Sequence, residues 1–177
     1  MANGLLSGLG IKRKIFISYH HSGDRKYYDA FIHAFSNTYD VIYDNSVERA
    51  VDSYNTDYVI RRIRDNYITG SSCTVVLCGA QTPYRKFVDW EIKATLDKQH
   101  GLIGVNLPSN PMNSNSKFVV SDRLHDNIES GYAIWTNWGA FTQSIQSVQS
   151  FIESANSKSA LLINNNRALR QRNGQEK

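Results

Sequence analysis

The 177-residue sequence holds only two cysteines, Cys73 and Cys78. They fall on one strand-like run, where about 3.3 Å per residue sets their Cα atoms roughly 16 Å apart, beyond disulfide reach. Two thiols are also too few to hold a metal unaided. They read as small buried hydrophobes of a reducing compartment. No apolar run approaches the ~20 residues that span a bilayer. The opening "MANGLLSGLGIKRK" lacks the basic start and long apolar stretch of a signal peptide. These absences predict a cytoplasmic protein without a membrane partner. Charge of one sign is scarce too, with a net of +4. The most basic pieces, "RRIR" and "RALRQR", are not interleaved with aromatics as base-stacking platforms are, which argues against nucleic acid. No Walker-type loop or Gly-x-Ser-x-Gly elbow occurs. "GLLSGLG" has no strand before it, so it is not a dinucleotide fingerprint.

What is present is enough apolar residue, 41%, to bury the core of one globular domain. Runs rich in β-branched residues alternate with stretches of helical period. "KIFISY" (Lys14 to Tyr19), "DVIYD" (Asp40 to Asp44), "CTVVLCG", "GLIGVNL" (Gly101 to Leu107) and "YAIWTNW" (Tyr132 to Trp138) predict five strands. Between them, Tyr27, Tyr28, Phe31 and Phe35 share one helical face, with Ser22 and Asp24 suited to its N-terminus. Val59, Ile60, Ile63 and Tyr67 share another face, ending near Gly70. A short helix is expected over "DRLHDNIES", and a last one over "FTQSIQSVQSFIESA", with Phe141, Ile145, Val148 and Ile152 in line. Residues 1–13 read as an extension, 14–160 as the domain and 161–177 as a polar tail, frayed from about Asn164.

Such alternation predicts an α/β three-layer sandwich of the flavodoxin-like kind: a five-stranded parallel sheet, order 2-1-3-4-5, with helices on both faces. Ligands bind such sheets outside the carboxyl ends of strands 1 and 3, where the winding reverses. That places a site between the loop after Tyr19 and the loop after Cys78. The helix after strand 3, "RKFVDWEIKATLDK", packs with Val88, Ile92 and Leu96. Glu91 lies on the border of that stripe, and its helical neighbours Phe87, Val88, Ala94 and Thr95 include no base. Asp89, by contrast, faces Lys93 at i+4 and reads as a solvated ion pair. A carboxylate against apolar surface without a cation loses solvation, which favours protonation and equips it to hold hydroxyls or carry a proton. The plain alternative is a glutamate at the stripe's edge, or one paired with an arginine elsewhere.

Ser18, Tyr19 and His20 bound one side of the expected crevice, and Gly79 the other. Tyr19 or Trp90 offers a ring for stacking, though core is as good a reading for Tyr19 and a better one for Trp90. Asp44, at the end of strand 2, reads first as a cap of its loop and second as a carboxylate facing a ligand. His20 and His21 diverge on an extended chain and lack a third ligand, so no metal site is expected and His20 reads as core or rim. Ser22-Gly23-Asp24 reads as a helix cap and turn.

"KIFISYHHSGD", "CTVVLCGAQT" and "RKFVDWEI" together resemble the bacterial TIR-like family, most of all the TIR-like subunits of Thoeris antiphage defence systems. The likeness runs from about Lys14 to Leu107, and the third segment is its most specific part. The resemblance implies an enzyme that cleaves the nicotinamide–ribose bond of NAD, with Glu91 as the catalytic glutamate and NAD as substrate rather than cofactor. Ser18, Tyr19, His20, Asp44, Gly79 and Trp90 are then the substrate-binding candidates. It further implies a cyclic ADP-ribose isomer or related product, a separate effector protein reached through that messenger, and possible homo-oligomers. Phe87 departs from the tryptophan expected there, a mild change for a packing residue. Other TIR domains are adaptors that only associate, which is the rival reading, with Asn45 to Asn55 and the Trp90 face as contact surfaces. A flavodoxin- or receiver-like module is a weaker one; against the receiver, "KIFISY" lacks the acidic cluster that would hold magnesium.

Overall fold

In the parallel sheet, strands apolar on both faces lie in the middle and are flanked by helices. The computed structural model describes residues 12–42 and 55–174. Its strands are β1 (Arg13–Ser18), β2 (Tyr39–Ile42), β3 (Cys73–Cys78), β4 (Gly101–Asn106) and β5 (Ile134–Asn137). They pair in parallel throughout, in the order β2-β1-β3-β4-β5. This is the expected topology. Asp44 and all but the last residue of the Asn45–Asn55 loop lie outside the described residues.

Side chains alternate across the sheet with period two. Ile15, Ile17, Val75, Leu77, Ile103 and Val105 meet α1 (His21–Phe35) and the last long helix through Tyr28, Phe31, Phe35, Val148 and Ile152. On the opposite face, Val76 and Leu102 meet Val88, Ile92 and Leu96. These three belong to the helix after β3, Lys86–Asp97. Beside them, Phe16 packs with Val59, Ile60 and Ile63 of α2 (Thr56–Ile63). Asn55 caps α2, accepting a hydrogen bond from the Tyr58 amide at 3.1 Å. A π-helical turn, Arg64–Ile68, carries it onward. The Lys86–Asp97 helix is α3, and α4 spans Asp122–Glu129. Both cysteines are buried and free. Burial pushes the Cys73 thiol up to about 12, so it behaves as an inert hydrophobe.

Two expectations are corrected. The final helix is broken into α5 (Trp138–Phe141) and α6 (Ile145–Asn156). Asn137 caps the first, taking the Ala140 amide at 2.9 Å, and Ser144 caps the second, taking the Ser147 amide at 3.0 Å. Two local caps override one continuous period. Ile145, expected on the packed face, is exposed as a result. The tail from Asn164 is not frayed either. Residues 164–174 lie across α3 and α4 as a hydrogen-bonded strap.

No helix among the described residues is long and apolar enough to cross a membrane.

Candidate active site

β1 ends at Ser18, deep in the sheet and in register with Val76 of β3. The strand's last side chain therefore points across the carboxyl end of the sheet, where β1 and β3 lie side by side. Ser18 is 1% exposed, and its hydroxyl donates to Oε2 of Glu91. Glu91 is itself 6% exposed. Glu91 is a buried carboxylate tied to the central strand pair. A second tie fixes the backbone beneath it. Thr95 donates its hydroxyl to the Glu91 carbonyl at 2.8 Å, and lies 2.7 Å from the Thr74 hydroxyl of β3. Glu91 thus keeps a set height above the sheet.

The loop after β3 closes the site from the other side. At Gly79 a β-carbon would collide with the Asp24 carboxylate. Only glycine permits that close approach. The Gly79 amide donates to Thr82 Oγ1 at 2.9 Å, and that oxygen lies 3.1 Å from the Leu77 carbonyl. Asp24 is the buried carboxylate that spacing missed. It reads as a helix cap in the sequence, yet it is buried in the first turn of α1. Ser109 donates to its Oδ1 at 2.9 Å, and Thr82 Oγ1 lies 3.4 Å from Oδ2. Burial pushes its carboxyl above the usual range, while the Ser109 and Thr82 bonds pull the other way. Ser109 lies 85 residues further along the chain, so no local pattern could have announced the pair.

Tyr19 is packed rather than presented. Its ring stacks on Tyr28 at 4.8 Å and contacts His21 at 5.0 Å. His20 is buried beside it, its Nε2 3.0 Å from the Ser22 hydroxyl. Burial first, then the charges of Arg85 and His21, lower its pKa to about 4. The imidazole is neutral at physiological pH, in keeping with a core or rim histidine. Trp90 is packed as well. It is 4% exposed, meets Phe87 edge-on, and donates its indole N–H to the Arg170 carbonyl at 2.8 Å.

Asp89 requires a further correction. Lys93 pairs with Asp97 instead. Asp89 is buried against Arg123, whose Nε donates to Oδ1 at 2.8 Å and which is 0% exposed. Arg123 also donates to Asn165 Oδ1 at 2.8 Å and to the Arg167 and Ala168 carbonyls at 2.9 and 3.2 Å. A hint was present in the sequence: Arg123 and Asn127 stand four apart beside the apolar Leu124 and Ile128. Both polar residues are buried.

A buried glutamate held by a strand-end serine can accept hydroxyls and stabilise a nearby positive centre. The model of the Thoeris protein ThsB, TIR-like domain, matches residues 16–112, over half of the chain. The chain belongs to this TIR-like family. The matched span runs from β1 past β4 and contains Ser18, Gly79 and Glu91, but not α4 or the strap. No curated protein matches the chain. Among solved structures, it is similar to the TIR domains of the activated Roq1 resistosome directly recognizing the pathogen effector XopQ. That likeness has 11% identity, 82% coverage of each chain and a TM-score of 0.38.

Proposed function

We propose that the protein is an NAD-consuming signalling enzyme of antiphage defence, cleaving the nicotinamide–ribose bond with Glu91 as its catalytic group. The observation that carries this reading is the buried Glu91 carboxylate fixed by Ser18 at the carboxyl end of β1, where a doubly wound sheet binds ligands. The chemistry needs one carboxylate. Nicotinamide in NAD is already cationic, so it leaves with the electron pair of the glycosidic bond and needs no acid. The ribose is left oxocarbenium-like. An anionic glutamate beside it stabilises that charge and accepts hydrogen bonds from ribose hydroxyls. A glycosidase with a neutral leaving group would need two carboxyl groups. Ser18 orients the carboxylate, and Asp24 shapes the wall through Gly79.

Attack by water on the sugar cation gives ADP-ribose and a proton. Attack by a hydroxyl or ring nitrogen of the same molecule gives a cyclic isomer, and a closed, water-poor site favours the second outcome. Such a product would act as a messenger to a separate effector protein. Self-association is part of the same proposal.

The test is nicotinamide release from NAD by wild type and Glu91→Gln, alone and with extract from phage-infected cells. The amide keeps the shape and removes the charge, so turnover is expected to fall roughly hundredfold or more. Turnover that survives the substitution would sink the assignment. An adaptor that signals by association would release no nicotinamide under any of these conditions.

A further inference from the structure

The helix that carries Glu91 lacks a cap of its own. Arg85 holds the N-cap position of α3 with extended backbone, and its side chain makes no capping bond. Arginine is not a capping residue. The missing acceptor comes from the strap: Asn173 Oδ1 takes the Lys86 amide at 3.0 Å. Gly174 adds a bond from its amide to the Tyr84 carbonyl at 2.8 Å. One turn further along, the Arg170 backbone grips Asp89 and Trp90, the two residues before Glu91. Its amide donates to Asp89 Oδ2 at 2.9 Å, and its carbonyl takes the Trp90 indole. At the far end of α3, Asn165 donates to Asp97 Oδ1 at 2.9 Å. Leu169 packs into the same cluster as Trp90 and Ala94.

We infer that the strap of residues 164–174 is a positioning element for Glu91, setting the rotation and axial depth of α3 against β1. This rests on the reading of Glu91 as the catalytic group. The helix is held from two sides. Ser18 and Thr74 hold it to the sheet, and the strap holds its first, second and last turns from outside. Arg123 is the pin between them, joining Asp89 on α3 to three strap residues. Catalytic side chains need positions held to about 0.5 Å, and a 1 Å error costs about 10²-fold. A helix uncapped and unclamped on its outer face does not meet that tolerance.

The strap is tested in the full-length chain with Asn165→Ala/Asn173→Ala, which removes bonds at both ends of α3 and the Arg123–Asn165 bond, and keeps both members of the Arg123–Asp89 pair. Asn173→Ala alone serves if the double variant fails to fold. Three quantities are read: kcat and KM for nicotinamide release, amide hydrogen exchange, and the 13C resonance of the Glu91 carboxylate. The double variant is expected to exchange its α3 amides about tenfold faster with β3 and β4 unchanged, to move the Glu91 resonance, and to lose about tenfold in kcat with KM nearly constant. Asn173→Asp, which keeps a capping oxygen, should recover most of the loss seen in Asn173→Ala. Unchanged α3 exchange and an unmoved Glu91 resonance would overturn the inference, as would exchange raised equally across the sheet. If wild type releases no nicotinamide, the proposed reaction falls, and exchange and resonance still decide the strap. If wild type is active and the double variant keeps its kcat, the strap's role falls and the reaction stands.

Discussion

His20 shows how burial, with nearby positive charge, can write pH dependence into a single residue. Its pKa falls from the ordinary 6.5 to about 4, with desolvation the largest cause. The folded state therefore prefers the neutral ring. That preference contributes fully above pH 6.5 and is lost as pH falls towards 4. Asp24 has the opposite sign, because its raised pKa makes the folded protein favour the protonated acid. Its contribution grows as pH falls below that raised value, partly offsetting the histidine. Urea unfolding at pH 7 and pH 4.5 should show a clear loss of stability in wild type. His20→Gln should flatten that loss; an unchanged pH profile in the variant would remove His20 as its source.

Among elements, α3 shows what spacing can and cannot reveal. Val88, Ile92 and Leu96 announce the packed stripe, and Glu91 stands out because a carboxylate beside that stripe is chemically anomalous. The strand before it then fixes which end of the sheet it serves. Asp89 escapes the same reasoning because a lysine stands at i+4 and offers an easy explanation. Its true partner is 34 residues away on another helix. Backbone carbonyls complete Arg123's shell, and a carbonyl leaves no mark in a sequence. The buried pair makes a sharp prediction at this scale. Arg123→Met leaves Asp89 buried without its cation and should cost about 3–5 kcal/mol in denaturant unfolding. Adding Asp89→Leu should return most of that loss. A double variant no more stable than the single one would show that Asp89 does not depend on Arg123.

For the molecule as a whole, strand order, layers and parallel pairing were legible because alternation of elements and the right-handed crossover leave few arrangements. The last third was less so. Its helix is cut by two caps, and its polar tail is held by groups that look solvated when read in isolation. The family-matched span ends at residue 112, whereas the core does not. Phe141, Val148 and Ile152 fill the cluster beneath β3 and β4, and β5 covers the edge of β4. A fragment ending at Met112 should therefore fail to fold, giving no cooperative thermal transition by circular dichroism. A cooperative transition close to that of the full chain would show that the matched span is self-sufficient.

The cap on α3 also has a consequence in time. The Lys86 amide finds its acceptor 87 residues downstream. Synthesis runs from the N-terminus at about 5–20 residues per second, so that bond cannot form for several seconds after Lys86 is made. The sheet can begin to assemble while the helix bearing Glu91 still has an open first turn. Closure of the strap joins parts distant in sequence, which makes it an intrinsically late event in folding. The nascent chain therefore carries its glutamate before it carries the means of holding it still.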